Sequence, residues 1–100
     1  MEESFNEKCY ELLQKVPKGK ITTYKIIAEK LGTRAYRAVG NAMNKNPYAP
    51  IIPCHRVVNS DGSLGGFASG TSKKAEILKL EGIEIENNKI KSFNKVLYKF

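Results

Sequence analysis

Residues 21–44 read ITTYKIIAEKLGTRAYRAVGNAMN, and the fold class turns on how this stretch is divided. Thr22 or Thr23 can cap a helix that runs to about Leu31, with Ile26, Ile27 and Leu31 as its apolar stripe. Gly32 follows where a helix-ending glycine belongs. A second helix is expected from Thr33 or Arg34 to Asn44, ended by Asn46-Pro47. Two short helices joined by a tight glycine turn make a helix-turn-helix pattern. The second has an unusual composition, since Ala35, Ala38, Gly40 and Ala42 are small while Arg34 and Arg37 are long cations. A helix that only filled a core would carry larger apolar residues. Small residues permit close approach to another surface, and that surface can be a neighbouring helix or a ligand; composition alone does not decide between them.

Toward the C-terminus, PYAPIIPCHRVV at 47–58 holds three of the four prolines. Pro47, Pro50 and Pro53 forbid a regular helix or a central strand, so a stiff extended segment is expected to carry Cys54-His55-Arg56 into Val57-Val58. Residues 59–63, NSDGS, have turn chemistry. Residues 64–70, LGGFASG, form a glycine-rich loop able to bring backbone amides close to a ligand. Thr71 or Ser72 then caps a helix from about Lys73 to Leu80 or Glu81, with Ala75, Ile77, Leu78 and Leu80 as its apolar residues and Gly82 at its end. The tail over 83–100 turns at Asn87-Asn88, either as a small hairpin or as an irregular extension.

Toward the N-terminus, Phe5, Cys9, Leu12, Leu13 and Val16 recur at helical spacing over residues 3–16, between Ser4 as a cap and Pro17 as a stop. Cys9 lies on the apolar side of that helix and reads as a small buried hydrophobe. The expected class is mainly α: a compact winged-helix-like domain with a helix-turn-helix and an extended Pro-rich active-site segment. One hundred residues suit one domain, divided into an N-terminal helix (1–16), a core (17–82) and a C-terminal extension (83–100).

The net charge of +7 is unevenly spread. Residues 17–56 carry Lys18, Lys20, Lys25, Lys30, Arg34, Arg37, Lys45 and Arg56 against Glu29 alone, whereas residues 1–16 are acidic. A concentrated basic middle is what a phosphate-tracking surface requires, though solubility alone also favours charge. No apolar run approaches the roughly 18 residues of a membrane helix, so a cytoplasmic location is expected. Cys9, Cys54 and His55 are the only Cys and His residues. They cannot supply four paired zinc ligands, so no metal or cofactor is expected. Monomer is the default state.

The remaining chemistry centres on Cys54. A cysteine is a nucleophile as its thiolate, and nearby positive charge favours that form. His55 and Arg56 can supply the field, and a carboxylate is needed to orient the imidazole, for which Glu81 is a good candidate. A buried structural thiol beside a solvated histidine is the plainer alternative.

Pro53-Cys54-His55-Arg56-Val57-Val58, with Arg37-Ala38-Val39-Gly40-Asn41-Ala42-Met43 and Asn46-Pro47 before it, resembles the O6-alkylguanine-DNA alkyltransferase family. The likeness runs from about Val16 to Gly82 and takes in Thr23-Tyr24, Asp61-Gly62, Leu64-Gly65, Gly66-Phe67 and Leu80-Glu81-Gly82. It implies DNA repair by a single-use transfer of an alkyl group from O6-alkylguanine in double-stranded DNA to Cys54. His55 is then the base that keeps the thiolate through a water, Glu81 the carboxylate behind it, and Asn46 a residue that orders the segment. Tyr24 rotates the 3′ phosphate and assists proton transfer to the departing guanine. Arg37 fills the gap left by the flipped base, and Ala38 lies with it against the minor groove. Thr23, Arg56 and Ser69 complete the expected DNA-facing set.

The base must leave the stack because its O6 lies inside the duplex, and an inserted side chain offsets the few kcal/mol this costs. Two departures stand out. The family commonly has a separate domain before this region, where this chain has about 16 residues. The loop after Gly66 reads Phe67-Ala68-Ser69-Gly70, where many members have an aromatic, a serine or alanine, and two glycines. Ala68 lacks a hydroxyl, so hydrogen bonding to guanine O6 falls to backbone amides, with Ser69 a further candidate. The main rival reading is a non-catalytic alkyltransferase-like lesion binder, which shares the fold and base flipping but lacks the acceptor cysteine. A winged-helix regulator would need base readers that an Ala/Gly helix does not offer, and a cysteine hydrolase would need an oxyanion site with no independent support.

Overall fold

The computed structural model describes residues 4–45, 52–65 and 70–100. They form a mostly helical structure with two very small sheets. Helix α1 spans Phe5–Gln14, and Ser4 caps it by accepting a hydrogen bond from the Glu7 amide at 3.1 Å. Its inner face buries Cys9, Tyr10, Leu12 and Leu13, and the Tyr10 hydroxyl donates to the Ala42 carbonyl at 2.8 Å. That bond ties α1 to the helix that carries Arg37.

Strand β1 (Thr22–Thr23) leads directly into α2 (Tyr24–Lys30). Thr23 is the cap, its hydroxyl accepting from the Ile26 amide at 3.0 Å. The helix ends at Gly32 as expected, with the Gly32 and Thr33 amides donating back to the Glu29 and Ala28 carbonyls. Helix α3 spans Tyr36–Asn44, starting two or three residues later than the sequence suggests. Thr33 uses its hydroxyl to accept from the Ala35 amide at 3.2 Å, so it holds the connection between the helices rather than opening the second one.

The Pro-rich segment departs from expectation where it is described. Cys54–Arg56 is a turn of 3-10 helix, held by the Arg56 amide donating to the Pro53 carbonyl at 2.9 Å. Proline cannot continue a strand ladder, but its fixed φ is compatible with entering a tight turn. Only afterwards does the chain extend, as β2 (Val57–Val58), which runs parallel to β1 with Thr22 opposite Val57 and Thr23 opposite Val58. Because alternate strand residues face opposite ways, Val57 enters a core with Cys9, Leu13, Ile27, Val39 and Met43, while Val58 enters a second with Ile21, Leu64, Leu78, Ile83 and Ile90.

Helix α4 (Thr71–Leu80) follows Gly70, and no side chain caps it, so neither Thr71 nor Ser72 plays the expected role. Its orientation also differs from the apolar reading: Leu78 and Lys74 are fully buried, while Leu80 is 78% exposed. The face turned inward is the one spaced by four and then three residues through Lys74, Leu78 and Glu81. Strands β3 (Ile85–Glu86) and β4 (Lys89–Ile90) form an antiparallel hairpin. Asn87 and Asn88 both have positive φ, as a two-residue hairpin turn demands. Helix α5 (Phe93–Val96) then brings the chain alongside Ile21, which exchanges backbone hydrogen bonds with Val96 and Tyr98. No helix among the described residues is long and apolar enough to cross a membrane.

Candidate active site

The parallel pairing of β1 with β2 decides which groups meet. It sets Tyr24, the first residue of α2, beside the turn that begins at Cys54, and α4 closes over that turn from the other side. Cys54 is 7% exposed and His55 3%. His55 Nε2 lies 3.1 Å from Glu81 Oε2, a little off the ideal hydrogen-bonding line. Burial lowers the His55 pKa, and Glu81 opposes that only in part, so the net shift is downward and the imidazole is neutral near pH 7. With the carboxylate facing Nε2, the proton is assigned to Nε2 and Nδ1 is left as the acceptor.

Glu81 serves two partners. Arg56 grips it with both edges of the guanidinium, Nε to Oε1 at 2.9 Å and Nη2 to Oε2 at 2.6 Å. Burial pushes the Glu81 carboxyl up, but the hydrogen bonds from Arg56 and then His55 outweigh it and hold the group below the usual carboxylate range. The backbone aims it: Glu81 is the last residue before Gly82, whose φ of +90° lets the Ile83 amide fold back onto the Leu78 carbonyl. A side chain at position 82 would strain that return and rotate the carboxylate.

The most informative residue was not singled out in the sequence. Lys74 is 0% exposed, and its Nζ donates to the Leu64 carbonyl, lies 3.5 Å from the Tyr24 hydroxyl and sits 5.7 Å from the centre of the Tyr24 ring. Burial brings its pKa down to about 8, against an opposing pull from Cys54. Tyr24 is pushed up, first by burial and then by the charge at Cys54. Cys54, Tyr24 and Lys74 thus feel one another electrostatically, with Glu81, His55 and Arg56 one layer behind. The signal for Lys74 was its place seven residues before Glu81, two helical turns along one face. Charge disguised it, because lysine is almost never fully buried.

Outside this cluster, α3 presents the expected exposed surface. Arg37 is exposed and Ala38 half-buried. Arg37, Tyr36 and Gly40 line a hollow of about 400 Å3 whose opposite side is Tyr24, Asn59 and Ser60. Tyr24 therefore belongs to both regions. Gly65 permits the close packing there, since a Cβ at its φ of +73° would stand 3.4 Å from the Tyr24 ring.

Two residues expected to face DNA are used differently. Arg56 is turned inward, with Nη1 donating to the Val16 carbonyl at 2.8 Å and the rest of the guanidinium on Glu81, because a carboxylate without a partner would be costly at that depth. Thr23 is 3% exposed and its hydroxyl is committed to capping α2. Asn46 and Ser69 lie outside the described residues.

The sequence model described as 6-O-methylguanine DNA methyltransferase, DNA binding domain, matches residues 4–83. The methylated-DNA--protein-cysteine methyltransferase of Methanosarcina barkeri is 53% identical over 85 residues, which cover 84% of this chain and 51% of that protein. The crystal structure of Mycobacterium tuberculosis OGT in complex with DNA is similar with a TM-score of 0.77 at 37% identity, covering 82% of this chain and 51% of that one. S. pombe Atl1, in complex with damaged DNA containing O6-carboxymethylguanine, gives a TM-score of 0.85 at 30% identity with both chains covered fully. The chain spans about half the length of the curated relatives it matches. The match over residues 4–83, together with this identity to the curated relatives, means that the chain belongs to the 6-O-methylguanine DNA methyltransferase family.

Proposed function

We propose that residues 1–100 act as one catalytic and DNA-binding unit that repairs double-stranded DNA by taking the alkyl group of O6-alkylguanine onto Cys54, once per molecule. The observation that carries this reading is the buried cluster itself: a fully buried lysine against the Tyr24 hydroxyl, both under the electrostatic influence of the buried Cys54, with a neutral His55 held by Glu81. Helices α2 and α3 form the helix-turn-helix, the β3–β4 hairpin is the wing of a winged-helix-like arrangement, and α3 enters the minor groove. Arg37 fills the space of the extruded base, and Ala38 allows the backbone to come close. The flipped nucleotide enters past Tyr24 from the hollow that Arg37 borders. The work belongs to the cytoplasm, where DNA is accessible and thiols stay reduced.

In the reaction the Cys54 thiol loses its proton to His55, by way of a water, and Glu81 stabilises the imidazolium that forms. The thiolate Sγ attacks the alkyl carbon, the S–C bond forms, and the C–O6 bond breaks with its electron pair moving onto the guanine. Tyr24 supplies the proton that guanine takes up, so one proton passes in net terms from thiol to leaving group. Lys74 offsets the negative charge, first at Sγ and then near Tyr24, from a site where water cannot screen it. Asn46 and Ser69 retain their proposed roles in ordering the active-site segment and meeting the base.

Intact mass after incubation with a duplex containing O6-methylguanine tests the reading. A gain of one methyl per chain on Cys54, absent in Cys54→Ala while lesion binding persists, is expected. Selective lesion binding with no mass gain would instead make the chain a lesion-recognition protein, in keeping with its end-to-end likeness to Atl1.

A further inference from the structure

Residues 84–100 lie beyond the family match, yet they are firmly built into the molecule. The Ile21 amide donates to the Val96 carbonyl at 2.9 Å, the Tyr98 amide donates to the Ile21 carbonyl at 2.7 Å, and Lys20 Nζ donates to the Lys95 carbonyl at 2.9 Å. Val96 and Leu97 pack on one core, and Tyr98 and Phe100 on the other. Leu97 bridges Ile21 in parallel just before β1, so the tail is held beside the strand that leads into the helix that carries Tyr24. Between them runs a groove of about 520 Å3. Lys25 and Lys30 of α2 form one wall, Leu97 and Lys99 of the tail form the other, and Ser60 lies in the groove.

Two features of this groove point to an occupant. It is cationic, because its three lysines outnumber its one acid, Glu29, which already stands 4.0 Å from Lys25. It is also continuous with the hollow beside Arg37, sharing Lys25 and Ser60 with it. A polyanion lying in the hollow can therefore run on into the groove without leaving positive surface. Surface that merely kept the protein soluble would not need the tail pinned by three backbone and side-chain hydrogen bonds at this place.

We infer that the C-terminal segment builds a second phosphate-binding wall, and that the groove between α2 and residues 97–99 takes the sugar–phosphate backbone of the same duplex on one side of the lesion. The inference rests on the DNA-repair reading above and adds to it a binding surface outside the family-like core. Lys30 and Lys99 are the contacts that belong to this groove alone, whereas Lys25 serves both regions. Both are exposed, so their replacement leaves the cores untouched.

The test compares the full chain with Lys30→Ala/Lys99→Ala on duplexes carrying O6-methylguanine. Each phosphate contact contributes about 0.9 to the slope of log affinity against log salt on duplex DNA, so the double variant should lose about 2 from that slope. Trimming the duplex on one flank, and only on that flank, should weaken the wild type but leave the double variant unchanged. Transfer from the free O6-methylguanine base, which has no backbone to hold, should proceed equally in both. Lys79→Ala/Lys91→Ala, in a cleft lined by other residues, should keep the wild-type slope. An unchanged slope in Lys30→Ala/Lys99→Ala, or an equal loss in the control pair, would overturn the groove while leaving the repair reading standing. A wild type that binds lesion duplex without salt dependence, or transfers nothing to Cys54, would defeat the repair reading itself.

Discussion

Lys74 and Arg37 are both long cations on amphipathic helices, and the fold treats them oppositely. Lys74 is driven wholly inside, where a carbonyl and a tyrosine hydroxyl meet its ammonium group. Arg37 stands in the open on α3 beside Tyr36 and Gly40. The inner face of α4 is dry and interlocked, so a charge there acts at short range and low screening. The outer face of α3 is wet, so its charge matters only when a partner excludes the water. Tyr24 joins the two, with its ring against the lysine and its edge on the hollow. The surroundings of the buried charge are fixed by the molecule itself, while those of the exposed one are left to the solvent.

The largest effect that could break this contrast concerns Glu81. Replacing it with Gln leaves Arg56 and His55 buried against a neutral partner, and removing one side of a buried ion pair typically costs about 3–5 kcal/mol. Denaturant unfolding should register a loss on the order of 3 kcal/mol for Glu81→Gln and a comparable one for Arg56→Ala. Arg56→Ala should nevertheless keep the salt slope of DNA binding, and a slope that dropped by one would return Arg56 to the DNA surface.

Arg37→Ala should do the reverse. Its stability should stay within about 0.5 kcal/mol of wild type, as for other exposed positions. Lesion-duplex affinity should fall roughly tenfold or more, equivalent to about 1.4 kcal/mol, and flipping of a fluorescent base analogue should decline with it. Transfer from the free base should be untouched; a variant that flips normally would reduce Arg37 to a phosphate contact.

The smallest effect is the sharpest in pH. Lys74 has its folded pKa lowered to about 8, so the unfolded chain binds more protons than the folded one between about 8 and the ordinary lysine value of 10.5. Stability should therefore rise with pH across that window, because the cost of a buried ammonium is present below pH 8 and relieved above it. Lys74→Met should lose this rise in melting temperature and should also slow Cys54 alkylation near neutral pH. A Met variant with wild-type pH dependence in both readouts would show that Lys74 is a packing residue only.

Much of this was legible in local sequence. Ser4, Thr23 and Gly32 mark helix ends by hydrogen-bonding rules that operate over three or four residues, and each does what those rules require. Asn87-Asn88 makes its hairpin for the same reason. The misreadings fall where distant elements decide. Leu80 reads as core and is exposed, and Arg56, expected to face DNA, is bound to Glu81, because both outcomes depend on how α4 is rotated against the Cys54 turn.

The sequence by itself determined the helix pair and the family, since caps, spacing and the run from Pro53 to Val58 are all short-range facts. Only the tertiary structure decided which groups surround Cys54. A two-residue parallel pairing brings Tyr24 to the turn, and one face of α4 supplies Lys74 and Glu81 together. Residues 20 to 50 positions apart meet there, and whether a charge is buried depends on what the rest of the fold can offer it, which no single stretch of sequence records.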